Sequence, residues 1–375
     1  APTPAGSDVV TVKDDKGNAI SGSNVVTTTK TTVNNTKNET SRNEQGQTVS
    51  KIIGTVSKET AEKLVSQAVS NRSDIIEITV SSAAASSEAA DTAKSTELEI
   101  PKTTVASIAK DTDASLVVKT DSGSVTLDNK TLETITSETN GDTVKLIVKE
   151  NAALTEAQRA ASAAIGENGK LFDLAVQSGN RLLHDFQGGK AYVILPMPDK
   201  LKGKDILVIY IDDNGLCKIL NHSVVKIGAE YYIRFTTTRF STFAVVDKDE
   251  AEGLIKEQNA AHVKELMQSA KFKVTTTKTS KKSVKVQVAA KSSKTMISDI
   301  KSLGYTVKYQ FYRSTKKTAG YKLLKTSSKN SFISTKGTKG RKYYYKARVL
   351  VYDGKTLVAK SALRQCSYGA RTWIK

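Results

Sequence analysis

The chain has 375 residues, of which 38% are hydrophobic, below the ~45–50% of ordinary globular domains; at roughly 100–200 residues per domain it can form two or three cores. Its two cysteines, Cys217 and Cys366, are too few for a disulfide-stapled scaffold and fit no metal-binding spacing, and no apolar run approaches the ~18 residues of a membrane-spanning helix. The net charge of +19 is unevenly placed: residues 271–375 hold 27 Lys and Arg against only Asp299 and Asp353, a net of +25, while residues 1–270 sum to −6.

The abundance of Thr, Ser, Lys and Val favours strands and turns over a helical bundle. The opening Ala1-Pro2-Thr3-Pro4-Ala5-Gly6-Ser7 reads as the start of an exported chain, cut downstream of a signal. Residues 1–56 read as a β-hairpin region. Strands are expected at 9–12, 25–33 and 49–56, with a turn at 14–17 and a long polar turn at 34–47.

Residues 57–150 read as an α+β domain. Ser57 precedes a helix whose apolar residues at 61, 64, 65, 68 and 69 share one face. Strands follow at 75–80, 98–100, 116–119, 124–127 and 144–148. Helices are expected at 102–110, just after Pro101, and at 130–137. The Ala/Ser-rich run at 83–90 reads as a surface loop or short helix. Residues 151–248 read as a β-sandwich-like domain, with strands at 171–176, 191–195, 206–211, 231–235 and 243–246. Asp212-Asp213-Asn214-Gly215 is a hairpin-turn signal, because Asn and Gly tolerate positive φ.

Residues 249–270 read as one linker helix and rigid spacer. Asp249 and Glu252 have capping-box spacing, and the apolar stripe runs through 251, 254, 255, 263, 266, 267 and 270. Residues 271–375 read as a second β-sandwich, with strands at 272–276, 284–288, 305–312, 321–325, 342–351 and 357–359. The fold class is therefore mainly β with an α+β N-terminal part: β-sandwich domains joined by a helical spacer.

Two stretches resemble known families. The first is Leu195-Pro196-Met197-Pro198, then Ile209-Tyr210-Ile211-Asp212-Asp213-Asn214-Gly215, Phe235-Thr236-Thr237 and Phe240-Ser241-Thr242-Phe243-Ala244-Val245-Val246. With the segment from Leu116 to Asp128, it resembles a domain of large Gram-positive surface proteins that often precedes S-layer homology repeats. That family usually has His where Arg239 stands. The second is Phe311-Tyr312-Arg313-Ser314-Thr315, Gly320-Tyr321-Lys322 and Gly340-Arg341-Lys342-Tyr343-Tyr344-Tyr345-Lys346-Ala347-Arg348-Val349. It resembles bacterial fibronectin type III domains. Both resemblances imply spacer or adhesion roles at the cell surface or cell wall and no catalysis.

The residues themselves agree with that reading. His184, His222 and His262 form no HExxH motif or close pair. Ser241 has no base partner visible in sequence. Asp212 and Asp213 read as turn residues, not as a paired acid and base or a Ca²⁺ loop. No metal or cofactor is expected, and the two thiols read as buried. If Tyr343 is the corner of a sandwich, then Tyr343, Tyr345, Ala347 and Val349 face inward, and Tyr344, Lys346 and Arg348 face solvent.

The remaining signal is basic. Lys281, Lys282, Lys316, Lys317, Lys322, Arg341 and Lys342 fall largely in expected turns and on outward faces. A charge of +25 exceeds the ~2–8 that keeps a small domain soluble, and such a field attracts polyanions. The expected partner is an anionic cell-wall polymer or host glycan; no nucleic-acid recognition motif is present. The rival reading is a non-catalytic accessory region of a larger extracellular glycan-degrading enzyme.

Overall fold

The computed structural model describes residues 7–10, 26–34, 36–42, 48–81, 93–150, 155–163, 169–280, 283–289, 294–335, 338, 341–366 and 372–373. The expected turn at 14–17, the Ala/Ser-rich run at 83–90 and the Lys281, Lys282 pair lie outside them. The chain forms two compact units. One comprises residues 1–214 and 219–252, the other 215–218 and 253–375. Strands dominate both, and no helix among the described residues is long and apolar enough to cross a membrane.

The first unit is built on two large sheets. One runs Ser7–Val10, Val26–Val33, Ile75–Val80, Ser115–Thr120, Gly123–Leu127, Ala191–Pro196, Glu230–Thr237 and His222–Ile227. The other includes, in spatial order, Ile206–Ile211, Thr242–Asp247, Lys170–Ser178, Thr143–Glu150, Ala93–Pro101, Thr48–Thr55 and Thr36–Arg42. Both contribute to one apolar core that takes in Ile76, Ile78, Leu98, Val125, Val148, Phe172, Val193 and Phe243. Alternation places each strand: Thr143–Glu150 buries every second residue. Thr242–Asp247 lies between two strands and is buried at all six positions, which suits its central apolar run Phe243–Val246.

Three of the helices in this unit have a start legible in the sequence. Ser57 accepts the Thr60 N–H (3.2 Å) and opens Lys58–Asn71; Ala61, Leu64 and Ala68 are buried, whereas Val69 of the expected face is exposed. Pro101 directly precedes Lys102–Asp111. Asp128 accepts the N–H groups of Thr131 (2.8 Å) and Lys190 (2.9 Å), which ties Asn129–Glu138 to the loop before Ala191–Pro196. There the helix meets Gly189, where a Cβ would stand 2.6 Å from the Thr131 nitrogen.

Three sequence expectations are corrected. The polar stretch 34–47 contains a strand, Thr36–Arg42, paired antiparallel with Thr48–Thr55. It is the outer strand of its sheet and mostly exposed, so polar residues such as the ion-paired Lys37 and Glu39 (2.6 Å) suit it. The boundaries at 56 and at 150 fall inside sheets. Thr48–Thr55 pairs parallel with Ala93–Pro101, Thr143–Glu150 pairs with Lys170–Ser178, and Gly123–Leu127 pairs with Ala191–Pro196. Residues 1–56, 57–150 and 151–248 therefore share one core instead of forming successive domains.

The third correction concerns the helix Lys248–Ser269. Its start is capped by Asp247, which accepts the Asp249 N–H (3.0 Å), not by Asp249. Positions 251, 255, 259, 263 and 267 are buried, a stripe at four-residue spacing. Val263 and Met267 belong to the core of the second unit. The helix from Gly253 onward is thus part of that unit rather than a bare spacer, and the boundary lies near 252 instead of 270.

The second unit is a β-sandwich. Lys273–Ser280, Ser283–Ala289 and Ser331–Ser334 form one sheet; Lys322–Ser327, Thr306–Ser314, Lys342–Asp353 and Thr356–Lys360 form the other. Arg364–Gln365 and Thr372–Trp373 also pair with Lys342–Asp353, which makes the second sheet six-stranded. Val274, Val284, Val286 and Val288 from one face meet Val307, Tyr309, Phe311, Tyr345, Ala347 and Val349 from the other in one core. The short strand Ser331–Ser334 and the helix Lys294–Ser302 add to the sequence expectation.

Candidate functional site

The strand Lys342–Asp353 organises the basic end of the sandwich. Tyr343, Tyr345, Ala347 and Val349 are buried, and the residues between them are partly exposed, as the alternation required. The Tyr343 hydroxyl accepts the Thr338 N–H at 2.9 Å, five residues upstream, and so fixes the corner at which the strand begins. That hydrogen bond, with Arg313 and Arg341 nearby, holds the Tyr343 hydroxyl below the usual tyrosine range. Tyr345 donates to Ser334 Oγ of the opposite sheet at 3.2 Å.

Outward on the same strand stand Tyr344, Lys346 and Arg348, facing Ser314, Tyr312 and Gln310 of the neighbouring strand. Gln310 Oε1 accepts from both Tyr312 Oη (2.6 Å) and Arg348 Nε (2.8 Å). Cations lie over the rings: Lys346 Nζ is 4.3 Å from the Tyr321 centroid, Lys308 Nζ 5.0 Å from Tyr352, and Lys342 Nζ 5.7 Å from Tyr344. Such contacts contribute about 0.5–1 kcal/mol at exposed positions. Ring faces covered by lysine are poor platforms for stacking a base or sugar. The tyrosines instead hold the lysine heads in place. Burial, together with the adjacent Tyr344, pushes the Tyr321 hydroxyl up, and that hydroxyl donates to the Lys317 carbonyl at 2.8 Å.

Five of the seven residues singled out from sequence are described, and topology brings them to one end. Lys316 and Lys317 lie in the exposed turn after Thr306–Ser314, and Lys322 begins the next strand opposite Arg313. Arg341 and Lys342 begin the strand whose Tyr344 pairs with Ser314. The two acids of residues 271–375 lie toward the other end. Asp353 closes Lys342–Asp353, where Tyr352 pairs with Thr306, and Asp299 is on the helix Lys294–Ser302, which leads into Thr306–Ser314. Lys308, Gln310, Tyr312 and Tyr321 were missed from sequence. Period-two alternation of residues 306–312 was the signal that could have found the first three.

The other candidates are separate. Asp212 accepts the Asn214 N–H (2.9 Å) in a turn. Arg239 Nε donates to Asp185 Oδ2 at 2.9 Å. His184 Nδ1 lies 3.4 Å from the Phe240 carbonyl, His222 Nδ1 lies 3.2 Å from the Leu220 carbonyl, and His262 Nδ1 lies 3.8 Å from Glu265. Ser241 Oγ accepts from Gln158 Nε2 at 3.2 Å. Among the described residues no group of three His, Cys, Asp or Glu is placed to hold a metal ion. Cys217 and Cys366 are both buried and form no disulfide.

No family model matches the sequence, and no curated protein matches it. Among solved structures the chain is similar to domains A168–A170 of titin, at 9% identity and a TM-score of 0.19, over 59% of this chain and 72% of that one. At that score the sandwich is read from its strand order alone.

Proposed function

We propose that the second unit is a non-catalytic binding module that holds an anionic cell-wall polymer or host glycan at the outer surface of a bacterial cell, with the first unit as its carrier. One observation carries this reading. Lys316, Lys317, Lys322, Arg341 and Lys342 gather at one end of the sandwich, and both acids of residues 271–375 lie toward the other. The neighbouring Tyr321 and Tyr344 position lysines over their rings, so part of the ordering cost is met before a ligand arrives.

The test is binding of the whole chain to immobilised teichoic acid and heparin-like glycan at two salt concentrations. Four or so phosphate-like contacts imply a loss of roughly 100-fold in affinity between 50 and 200 mM salt. Combined Lys316→Glu, Lys317→Glu, Lys322→Glu and Lys342→Glu should abolish most binding, and each change alone should reduce it modestly. Absence of binding to either polymer at the lower salt would reduce the basic end to a solubilising surface.

A further inference from the structure

The outer face of the sheet that contains Lys342–Asp353 carries its cations in regular rows. Residues two apart on a strand share a face and stand about 6.8 Å apart. The outward positions of this strand are Lys342, Tyr344, Lys346, Arg348 and Leu350. Leu350 pairs with Lys308 on one side and with Lys360 on the other, and both lysines are exposed. Four of the five rows thus hold a cation, over about 27 Å of strand. The second unit places no carboxylate among them: Asp353 lies beyond the last row, and Asp299 is on the helix Lys294–Ser302.

Neutral partners steady four of these cations. Lys342, Lys346 and Lys308 lie over the rings of Tyr344, Tyr321 and Tyr352. Arg348 donates its Nε to Gln310, which Tyr312 also holds, and keeps its two terminal nitrogens for another acceptor. The cations are therefore ordered along the strand with their charge intact.

The row spacing selects among polyanions. A glycerol phosphate repeat puts six bonds between successive phosphorus atoms, as many as separate the Cα atoms of residues two apart. Extended, both advance by about 6.6–7.2 Å. A ribitol phosphate repeat has eight bonds and on the same geometry advances by about 9 Å, so it slips against the rows by about 2 Å at each step. Single-stranded nucleic acid shares the six-bond repeat, but its bases need open aromatic faces, and Tyr321, Tyr344 and Tyr352 each have a lysine over the ring.

We propose that this face binds one extended poly(glycerol phosphate) chain along Lys342–Asp353, with phosphates at Lys342, at Lys346, at Arg348 and between Lys308 and Lys360. The proposal rests on the polyanion reading above and narrows it to one backbone chemistry.

The experiment titrates the whole chain by calorimetry with oligomers of glycerol phosphate, of ribitol phosphate and of thymidylate, matched in phosphate count, at a lower and a higher salt concentration. The glycerol phosphate oligomer should bind roughly tenfold more tightly than the other two, the worth of one charge-assisted contact. Combined Lys308→Gln, Lys346→Gln and Arg348→Gln should lower the slope of log affinity against log salt by about 2. The same loss of charge on the other sheet, through Lys273→Gln, Lys278→Gln and Lys285→Gln, should leave the slope nearly unchanged. Equal binding of the glycerol and ribitol oligomers, tighter binding of the thymidylate, or equal slopes in the two triple variants with native melts would overturn the proposal. Steep salt dependence in any of those cases leaves the polyanion reading standing, whereas binding by none of the oligomers at the lower salt ends both.

Discussion

The side-chain amide of Asn259 holds both backbone groups of Cys217: its Oδ1 accepts the Cys217 N–H at 2.8 Å, and its Nδ2 donates to the Cys217 carbonyl at 2.7 Å. Asn259 is buried on the long helix, and Leu216 beside Cys217 sits in the sandwich core. Four residues, 215–218, are thereby fastened to a unit whose main body begins at residue 253.

Asn259→Ala strands a buried donor and a buried acceptor, at a cost of about 1–3 kcal/mol for each group left unmade. The second unit should melt earlier by calorimetry, and the Cys217 thiol should react faster with a thiol reagent. Labelling at the native rate, with an unchanged melt, would show that the clamp contributes nothing.

The helix boundary makes a separate prediction. A fragment of residues 271–375 lacks Val263 and Met267, both fully buried in the second core. At about 1.5–3 kcal/mol for each buried side chain, the loss rivals the ~5–15 kcal/mol stability of a whole domain. Residues 253–375 should melt cooperatively and well above residues 271–375. Equal melting temperatures would return the boundary to residue 270.

Tyr343→Phe removes the acceptor of the Thr338 N–H and leaves the ring in place beneath Arg313, whose guanidinium carbon lies 4.5 Å from its centroid. The expected cost is about 1–2 kcal/mol, read as a lower denaturation midpoint with an unchanged slope.

Two carboxylates should respond to pH with opposite signs. Burial pushes Asp173 up from 3.8 to about 6. The folded state thus holds its proton more tightly, and stability falls as pH rises from about 4 to 6. That difference corresponds to about 3 kcal/mol as an upper figure. Asp173→Asn should therefore stabilise the chain at pH 8 and leave it nearly unchanged at pH 4.

Glu97 behaves in reverse. Burial alone would raise its carboxyl, but hydrogen bonds from Lys145 (2.6 Å) and Lys51 (2.9 Å) hold it below the ordinary range. Its stabilisation is present above its unfolded pKa and is lost as pH falls through the lowered folded value. Glu97→Gln should lower the melting temperature at pH 7, and the gap from the native chain should close toward pH 3. A gap of the same size at both pH values would refute the assignment.

Local periodicity was legible and long-range pairing was not. The alternation of residues 342–349 alone puts Tyr343 and Tyr345 inside and Lys346 and Arg348 on the outer face. Ser57 and Pro101 marked helix starts correctly. Thr36–Arg42 escaped because an outer, solvated strand has no apolar face to repeat. The parallel pairing of Val26–Val33 with Ile75–Val80 leaves no trace in either segment. It joins distant residues whose partners only the shared core decides. The hydrogen bond from Gln158 to Ser241 was invisible for the same reason: the two are 83 residues apart, and each alone reads as ordinary.

The opposed placement of the basic cluster and the two acids has a consequence for orientation. A body with a basic cluster at one end and its only acids toward the other carries an electric moment along its length. Near an anionic layer it experiences a torque as well as an attraction, within the ~8 Å over which charge is felt at physiological salt. The sandwich would therefore meet such a layer end-on, at Lys316, Lys317 and Arg341, with Asp353 turned away. Its contact area is then small, its grip depends on many copies or many repeats of the polymer, and its release needs only a rise in salt.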